Sequence, residues 1–295
     1  MKLMNKIKNL YFNTKPERIL SLINYSTIKN KLEDYALNKT ESGIDENNDI
    51  IISLTTYSNF INQVHITIES LMEQTVKPKK IVLWISNKYK DYEIPEILNK
   101  QKKRGLEIRK TRDIGSYTKL IPALQEFPNN PIITCDDDVI YPIDTIEWLL
   151  KAYKKDSSKI YFRRGHKMIL KDNKHFIPYN NFIWEMQDLT TDIYNFFTGV
   201  GGVLYPPNCF DSEVFNYEKF SKLAPYADDI WFNAMALKNN TSCQKIYTKR
   251  NCYIDYDLLK EDSGQRLQAK NVKRNKNDIQ LQAVWDEYNL WEKYN

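Results

Sequence analysis

Ile132-Ile133-Thr134-Cys135-Asp136-Asp137-Asp138-Val139-Ile140-Tyr141-Pro142 decides the fold. Its β-branched, apolar start reads as a short buried strand, and three consecutive carboxylates close it. Carboxylates this crowded repel one another and resist burial, so packing gives no reason to gather them there. A hard divalent cation does, at the C-terminal edge of a parallel sheet, where open α/β folds take their ligands. The competing reading is a turn whose acids cap a helix beginning near Ile143, although three adjacent acids exceed what a cap requires.

Upstream of this run the pattern is regular. Ile50–Thr55, Ile81–Ile85 and Leu106–Arg109 read as strands, and helical spacing follows each: Val64, Ile68, Leu71 and Met72; Glu96–Lys103; Leu120, Ile121, Leu124 and Phe127. Pro122 is tolerable only in the first turn of its helix. Strands recurring every 25–31 residues with helices between them predict βαβ units and a parallel sheet. The unit is Rossmann-like, but Gly-x-Gly-x-x-Gly is absent. Downstream, the spacing predicts helices at Ile143–Tyr153, Phe220–Leu223, Asp228–Leu237 and Ile279–Trp291. It predicts strands at Lys159–Arg163, Phe196–Tyr205 (interrupted by glycines) and Cys243–Lys249.

The bulk numbers fit a globular protein of 295 residues, with 42% hydrophobic and 27% charged residues. Twenty tyrosines suit ring stacking on a base or sugar, or simply a Tyr-rich core and surface. A net charge of +5 suits an anionic partner without demanding one, and no basic run interleaved with aromatics predicts a nucleic-acid groove. Cys135, Cys209, Cys243 and Cys252 form no Cys-x-x-Cys pair. Without a signal peptide or an apolar run of about 18 residues, a reduced, cytoplasmic protein is expected. Residues 1–48 stand apart as a basic helical arm and linker. The first 31 carry seven Lys/Arg and one acid, Glu17, whereas residues 33–49 carry six acids and one Lys. The arm reads either as a membrane-surface or partner-docking segment or as helices packed on the main domain.

Three further stretches carry candidate chemistry. In Arg112-Asp113-Ile114-Gly115-Ser116-Tyr117-Thr118-Lys119, a turn opens a helix and brings Lys119 within reach of a phosphate; plain capping with a solvated Lys is the alternative. Thr198-Gly199-Val200-Gly201-Gly202-Val203-Leu204-Tyr205-Pro206-Pro207 holds three of the eight glycines, as for backbone passing close to a ligand or for a bulged strand. Ala227-Asp228-Asp229-Ile230-Trp231-Phe232 opens a helix with two acids, which serve either its dipole or proton abstraction from a hydroxyl.

Taken in order with Ser53-Leu54-Thr55-Thr56-Tyr57, these stretches resemble bacterial glycosyltransferases of the GT-A fold. The likeness is to the family-2-like enzymes of capsule and lipopolysaccharide biosynthesis, over about residues 49–255. The resemblance implies a mostly parallel α/β sheet flanked by helices, with residues 49–142 as the nucleotide-binding half and 143–295 as the acceptor half with a C-terminal helix. It implies Mn2+ or Mg2+ on Asp136 and Asp138, the two acids of an Asp-x-Asp motif, with Asp137 ambiguous in register. Thr55, Thr56, Tyr57, Asp113, Lys119, Asp136, Asp137, Gly201 and Gly202 would line the donor, a nucleotide-sugar with UDP favoured. Asp229 would be the base of an inverting transfer and Asp228 a ligand to the acceptor hydroxyl, where the family often has Glu-Asp. The acceptor would be a glycan or lipid-linked glycan, with residues 1–31 resting peripherally on the inner membrane face. The late metal-binding His of some relatives has no counterpart, because His65, His166 and His175 all lie upstream of the Asp-Asp helix. A sugar nucleotidyltransferase would share the sheet and the acids. The loop Thr55-Thr56-Tyr57-Ser58-Asn59, however, lacks the Gly, Arg and Lys such enzymes place there. A non-catalytic glycan-binding or scaffold protein is the third reading.

Overall fold

The computed structural model describes residues 16–90, 94–247 and 276–294. Its centre is a seven-stranded sheet in the order β11-β5-β10-β4-β1-β2-β3. The strands are β1 (Ile51–Thr55), β2 (Lys80–Ser86), β3 (Leu106–Thr111), β4 (Ile132–Cys135), β5 (Ile160–Phe162), β10 (Val203–Tyr205) and β11 (Cys243–Lys245). β3, β2, β1 and β4 run parallel, joined by the helical crossovers that parallel pairing requires. These crossovers contain α2 (Val64–Met72), α3 (Glu96–Lys102) and α4 (Ile121–Glu126). Pro122 falls in the first turn of α4, where its missing N–H costs nothing.

The central strands are buried on both faces, so their alternation sorts side chains between two cores instead of core and solvent. Ile51, Val82, Trp84, Phe162, Val203 and Tyr205 point to one side. There they meet α7 (Asp228–Lys238) and α8 (Lys276–Glu287) through Trp231 and Trp285. Ile50, Ile52, Leu54, Ile81, Leu83 and Ile133 point to the other, against α2 and α5 (Thr145–Lys155) through Leu71, Ile146 and Leu149.

β10 is antiparallel to both β4 and β5, with Val203 opposite Thr134 and Phe162. The residues entering β10 therefore lie beside those leaving β4. The expected single strand Phe196–Tyr205 is in fact two strands in two sheets. β9 (Asn195–Phe197) pairs with β6 (Gly165–Lys167), and β10 joins the main sheet. The glycines between them make the break: Gly201 and Gly202 have φ of 95° and 97°, which a side chain would strain. A small hairpin of β7 (Leu170–Asp172) and β8 (His175–Phe176) and the helix α6 (Tyr217–Leu223) complete the second half.

Residues 1–15 of the basic arm lie outside the described residues, as do Cys252 and the end of the expected Cys243–Lys249 strand. The arm's described part is α1 (Pro16–Asn38), which packs on the body: Leu32 is buried with Ile66 and Ile140, with Tyr25, Ile28 and Phe60 against them. The linker that follows α1 is strapped down, because the Gly43 N–H donates to the Arg104 carbonyl and the Asp45 N–H to that of Pro78.

Candidate active site

β1 and β2 place Lys119 through its backbone. The Trp84 indole N–H donates to Ser53 Oγ, and the Ser53 hydroxyl donates to the Lys119 carbonyl. Lys119 ends a 3-10 turn, Gly115–Lys119, whose Tyr117 stacks on Phe220 at 4.1 Å and donates its hydroxyl to the Ala224 carbonyl at 2.6 Å. The turn after β3 is thereby tied to the loop that leads into α7.

α2 positions the acidic loop. Thr67 donates to the Asp137 carbonyl at 3.0 Å, and Ser70 Oγ accepts from the Tyr141 N–H at 3.0 Å. Just beyond the helix, Gln74 donates to the Pro142 carbonyl and accepts from the Ile146 N–H. Tyr141 in turn accepts the Asp136 N–H at 2.8 Å. Asp137, Tyr141, Pro142 and Ile146 are thus held by polar groups of one helix and its exit, and Tyr141 holds Asp136.

These elements converge on an ammonium. Lys119 Nζ lies 2.9 Å from Asp136 Oδ1 and 3.2 Å from Asp228 Oδ2, with its side chain only 10% exposed. Burial alone would lower the Lys119 pKa, but Asp136, Asp228 and Asp229 raise it well above its usual value, so it stays charged. Asp229, in the first turn of α7, accepts the Gly199 N–H on Oδ1 at 3.0 Å. Burial, then the Asp228 charge, raises the Asp229 carboxyl to about 7. At Gly199 the backbone passes close to the cluster. A Cβ there would stand 2.6 Å from Lys119 Nζ and 3.5 Å from both Asp136 Oδ1 and Asp229 Oδ1.

The other expected site residues fall around this centre or away from it. Thr56 donates to Asp137 Oδ2 at 2.5 Å, and burial raises the Asp137 carboxyl to about 7. Tyr57 is half exposed at the loop after β1; burial and the fields of Asp137 and Asp138 raise its pKa. Thr55 turns its hydroxyl to the Trp84 carbonyl within the sheet. Asp113 is exposed and accepts the Gly115 N–H, a local turn bond. Gly202 faces Leu149, Thr145 and Ile133, whereas Gly199 faces Lys119 and the acids. No sequence signal separates these glycines, because the distinction arises from where the chain crosses between sheets. His166 is buried among Tyr179, Trp184 and Phe196, and burial lowers its pKa to about 3.

Among the described residues no group of three His, Cys, Asp or Glu side chains forms a protein-only metal cage. The donor chemistry still fits a hard cation that completes its shell with phosphate oxygens and water. Asp136 and Asp138 are half-buried carboxylates, and one lysine faces three acids, leaving negative charge in surplus.

No protein-family model and no curated protein matches the chain. Solved structures that resemble it in outline include the following two. S. aureus TarS, residues 1–349, aligns at 13% identity over 68% of this chain, with a TM-score of 0.45. The alignment spans only 58% of that chain. A mannosyltransferase, PcManGT from Pyrobaculum calidifontis, solved with GDP-Man and Mn2+, aligns at 12% identity over 90% of this chain and 78% of its own, with a TM-score of 0.42.

Proposed function

We propose that this protein is a metal-dependent glycosyltransferase that moves a sugar from a nucleotide-sugar to an acceptor hydroxyl. The observation that carries the reading is the convergence of Lys119, Asp136, Asp228 and Asp229 on side-chain-free backbone at Gly199, beside the C-terminal edge of β4. The acceptor oxygen attacks the anomeric carbon, and its proton passes to the Asp229 carboxylate. The bond to the diphosphate breaks, and its electron pair leaves with the diphosphate. A base whose pKa sits near neutrality suits that proton transfer, a contribution of roughly 10²–10⁴-fold in rate. Lys119, held as a cation, offers its ammonium to a diphosphate oxygen. Asp228 orients that ammonium and the incoming hydroxyl. A divalent cation of the Mn2+ or Mg2+ kind, held by Asp136 and Asp138, would neutralise charge on the departing diphosphate.

The finer proposal is a UDP-sugar donor and a growing capsule or lipopolysaccharide glycan, free or lipid-linked, as acceptor. The ordered motifs between Ser53 and Phe232 support it. Residues 1–31 are proposed to rest on the inner membrane face.

Purified full-length protein, screened against nucleotide-sugars, provides the test. Chelation and Asp138→Ala should each abolish metal-dependent donor hydrolysis, and Asp229→Asn should lower transfer by roughly 100-fold or more. Only the ionised Asp229 accepts a proton, so transfer should fall about tenfold per pH unit below neutrality and level off above it. If chelation and Asp138→Ala both leave hydrolysis and transfer intact, the metal-dependent mechanism is wrong. A scaffold protein would show no metal-dependent nucleotide binding by calorimetry.

A further inference from the structure

Three consecutive residues at the exit of β9 are held by three different partners. The Phe197 N–H donates to Asn233 Oδ1 at 3.2 Å, and Asn233 Nδ2 donates to the Phe197 carbonyl at 2.9 Å. The Thr198 N–H donates to the Arg164 carbonyl at 3.2 Å, and Arg164 Nη1 donates to Thr198 Oγ1 at 3.0 Å. The Gly199 N–H goes to Asp229 Oδ1. Asn233 and Asp229 lie one turn apart on α7, and Asn233 Nδ2 also donates to the Asp229 carbonyl at 2.8 Å. Helix and strand end are thus joined at two rungs, Asn233 on Phe197 and Asp229 on Gly199.

The residue type explains the first rung. A carboxamide presents a donor and an acceptor side by side, as a peptide unit does, so it can pair with both backbone groups of one residue. Aspartate keeps only the acceptor, and leucine of similar size keeps neither. Asn233 is 5% exposed and Phe197 wholly buried, so water cannot replace what is lost.

We propose that Asn233 is a positioning residue for the transfer reaction: by pairing with Phe197 it sets where α7 sits along the end of β9, and so holds the Asp229 carboxylate against the Gly199 N–H beside Lys119. The inference rests on the reading of Asp229 as the base. Asn233 touches no reacting group itself; it acts through the register of the two elements.

The test uses the full chain with Asn233→Asp and Asn233→Leu. Both should lower kcat by about 10–100-fold, as misplacement of a base by a fraction of an ångström does, while KM for the donor stays within about twofold. The Gly199 amide resonance should shift in both, and with only eight glycines a glycine-labelled spectrum is sparse enough to follow it. Met235→Ala, a buried cavity variant of the same helix, should lose stability yet leave kcat and the Gly199 resonance in place. Unchanged kcat and an unmoved Gly199 resonance in both Asn233 variants would overturn the proposal, as would losses that merely follow the melting temperature as in Met235→Ala. Should either variant fail to fold, amide exchange in the wild-type protein decides. The Phe197 and Gly199 amides should open together, and independent opening sinks the idea. Failure of the functional reading looks different: Asp229→Asn would then leave transfer intact, whereas failure of this inference alone leaves Asp229→Asn inactive and the Asn233 variants active.

Discussion

Gly199 shows what one missing Cβ does. The atom a Cβ would meet at 2.6 Å is the flexible end of Lys119, so the backbone need not move. Gly199→Ala should therefore keep the backbone in place while displacing the ammonium from Asp136 and Asp228, with a lowered melting temperature because those acids lose their partner. Transfer should drop about 100-fold, read as kcat against a parallel thermal melt. Loss of fold and activity together would contradict this account. The same crowding has a cost in stability. The folded Asp137 and Asp229 carboxyls titrate near 7, far above the unfolded value of about 3.9. Between those values the unfolded chain binds fewer protons than the folded one, so this contribution to stability falls as pH rises from about 4 to 7. At this scale the acids were legible in the sequence, since Asp136–Asp138 and Asp228–Asp229 stand out by charge alone. The glycine-rich stretch around Gly199 stood out too, but not which of its glycines meets the acids, and Asn233 carried no signal in type or spacing.

Among the elements, α2 positions the acidic loop through Thr67 and Ser70, and between them, on another face of the helix, Glu69 anchors it by a buried ion pair. Arg104 Nη1 meets both Glu69 carboxylate oxygens at 2.8–2.9 Å, with the pair at 3% and 0% side-chain exposure. Gln101 donates to Glu69 as well, and Arg104 Nε reaches the Glu41 carbonyl in the segment after α1. Burial raises the Glu69 pKa despite these partners. Arg104→Met strands the carboxylate and should cost about 3–5 kcal/mol in urea unfolding. Adding Glu69→Leu should recover much of that, since an apolar pair replaces a buried ionic one at little net cost. A double variant as unstable as the single would refute the assignment of the loss to an uncompensated charge. The parallel elements were readable from periodicity because each crossover is local. The β9–β10 break was not. Both strands are apolar, and their division between two sheets depends on distant partners, β6 for one and β4 with β5 for the other.

Over the whole molecule the basic N-terminal segment is part arm and part body. From Tyr25 onward α1 packs against Ile66, Ile140 and Phe60, whereas Ile23 stays 56% exposed. No helix among the described residues is long and apolar enough to cross a membrane. Deleting residues 1–22 spares the packed part of α1 and removes five of the seven basic residues. It should abolish flotation with anionic vesicles while leaving the melting temperature nearly unchanged, each lost charge weakening binding by about 1 kcal/mol. Flotation identical to the intact chain would remove the membrane role. What the sequence determined by itself was the parallel α/β half and the carboxylates at its strand ends, because periodicity and local charge are properties of neighbours along the chain. Only the tertiary structure decided that Lys119, Asp136, Asp228 and Asp229 share one centre. The antiparallel entry of β10 beside β4 lays Gly199 against the acids. Tyr117, bonded to the Ala224 carbonyl, holds the start of α7 to the turn that carries Lys119. Those positions follow from strand order and direction, which residues about 100 apart in sequence settle only when they pack.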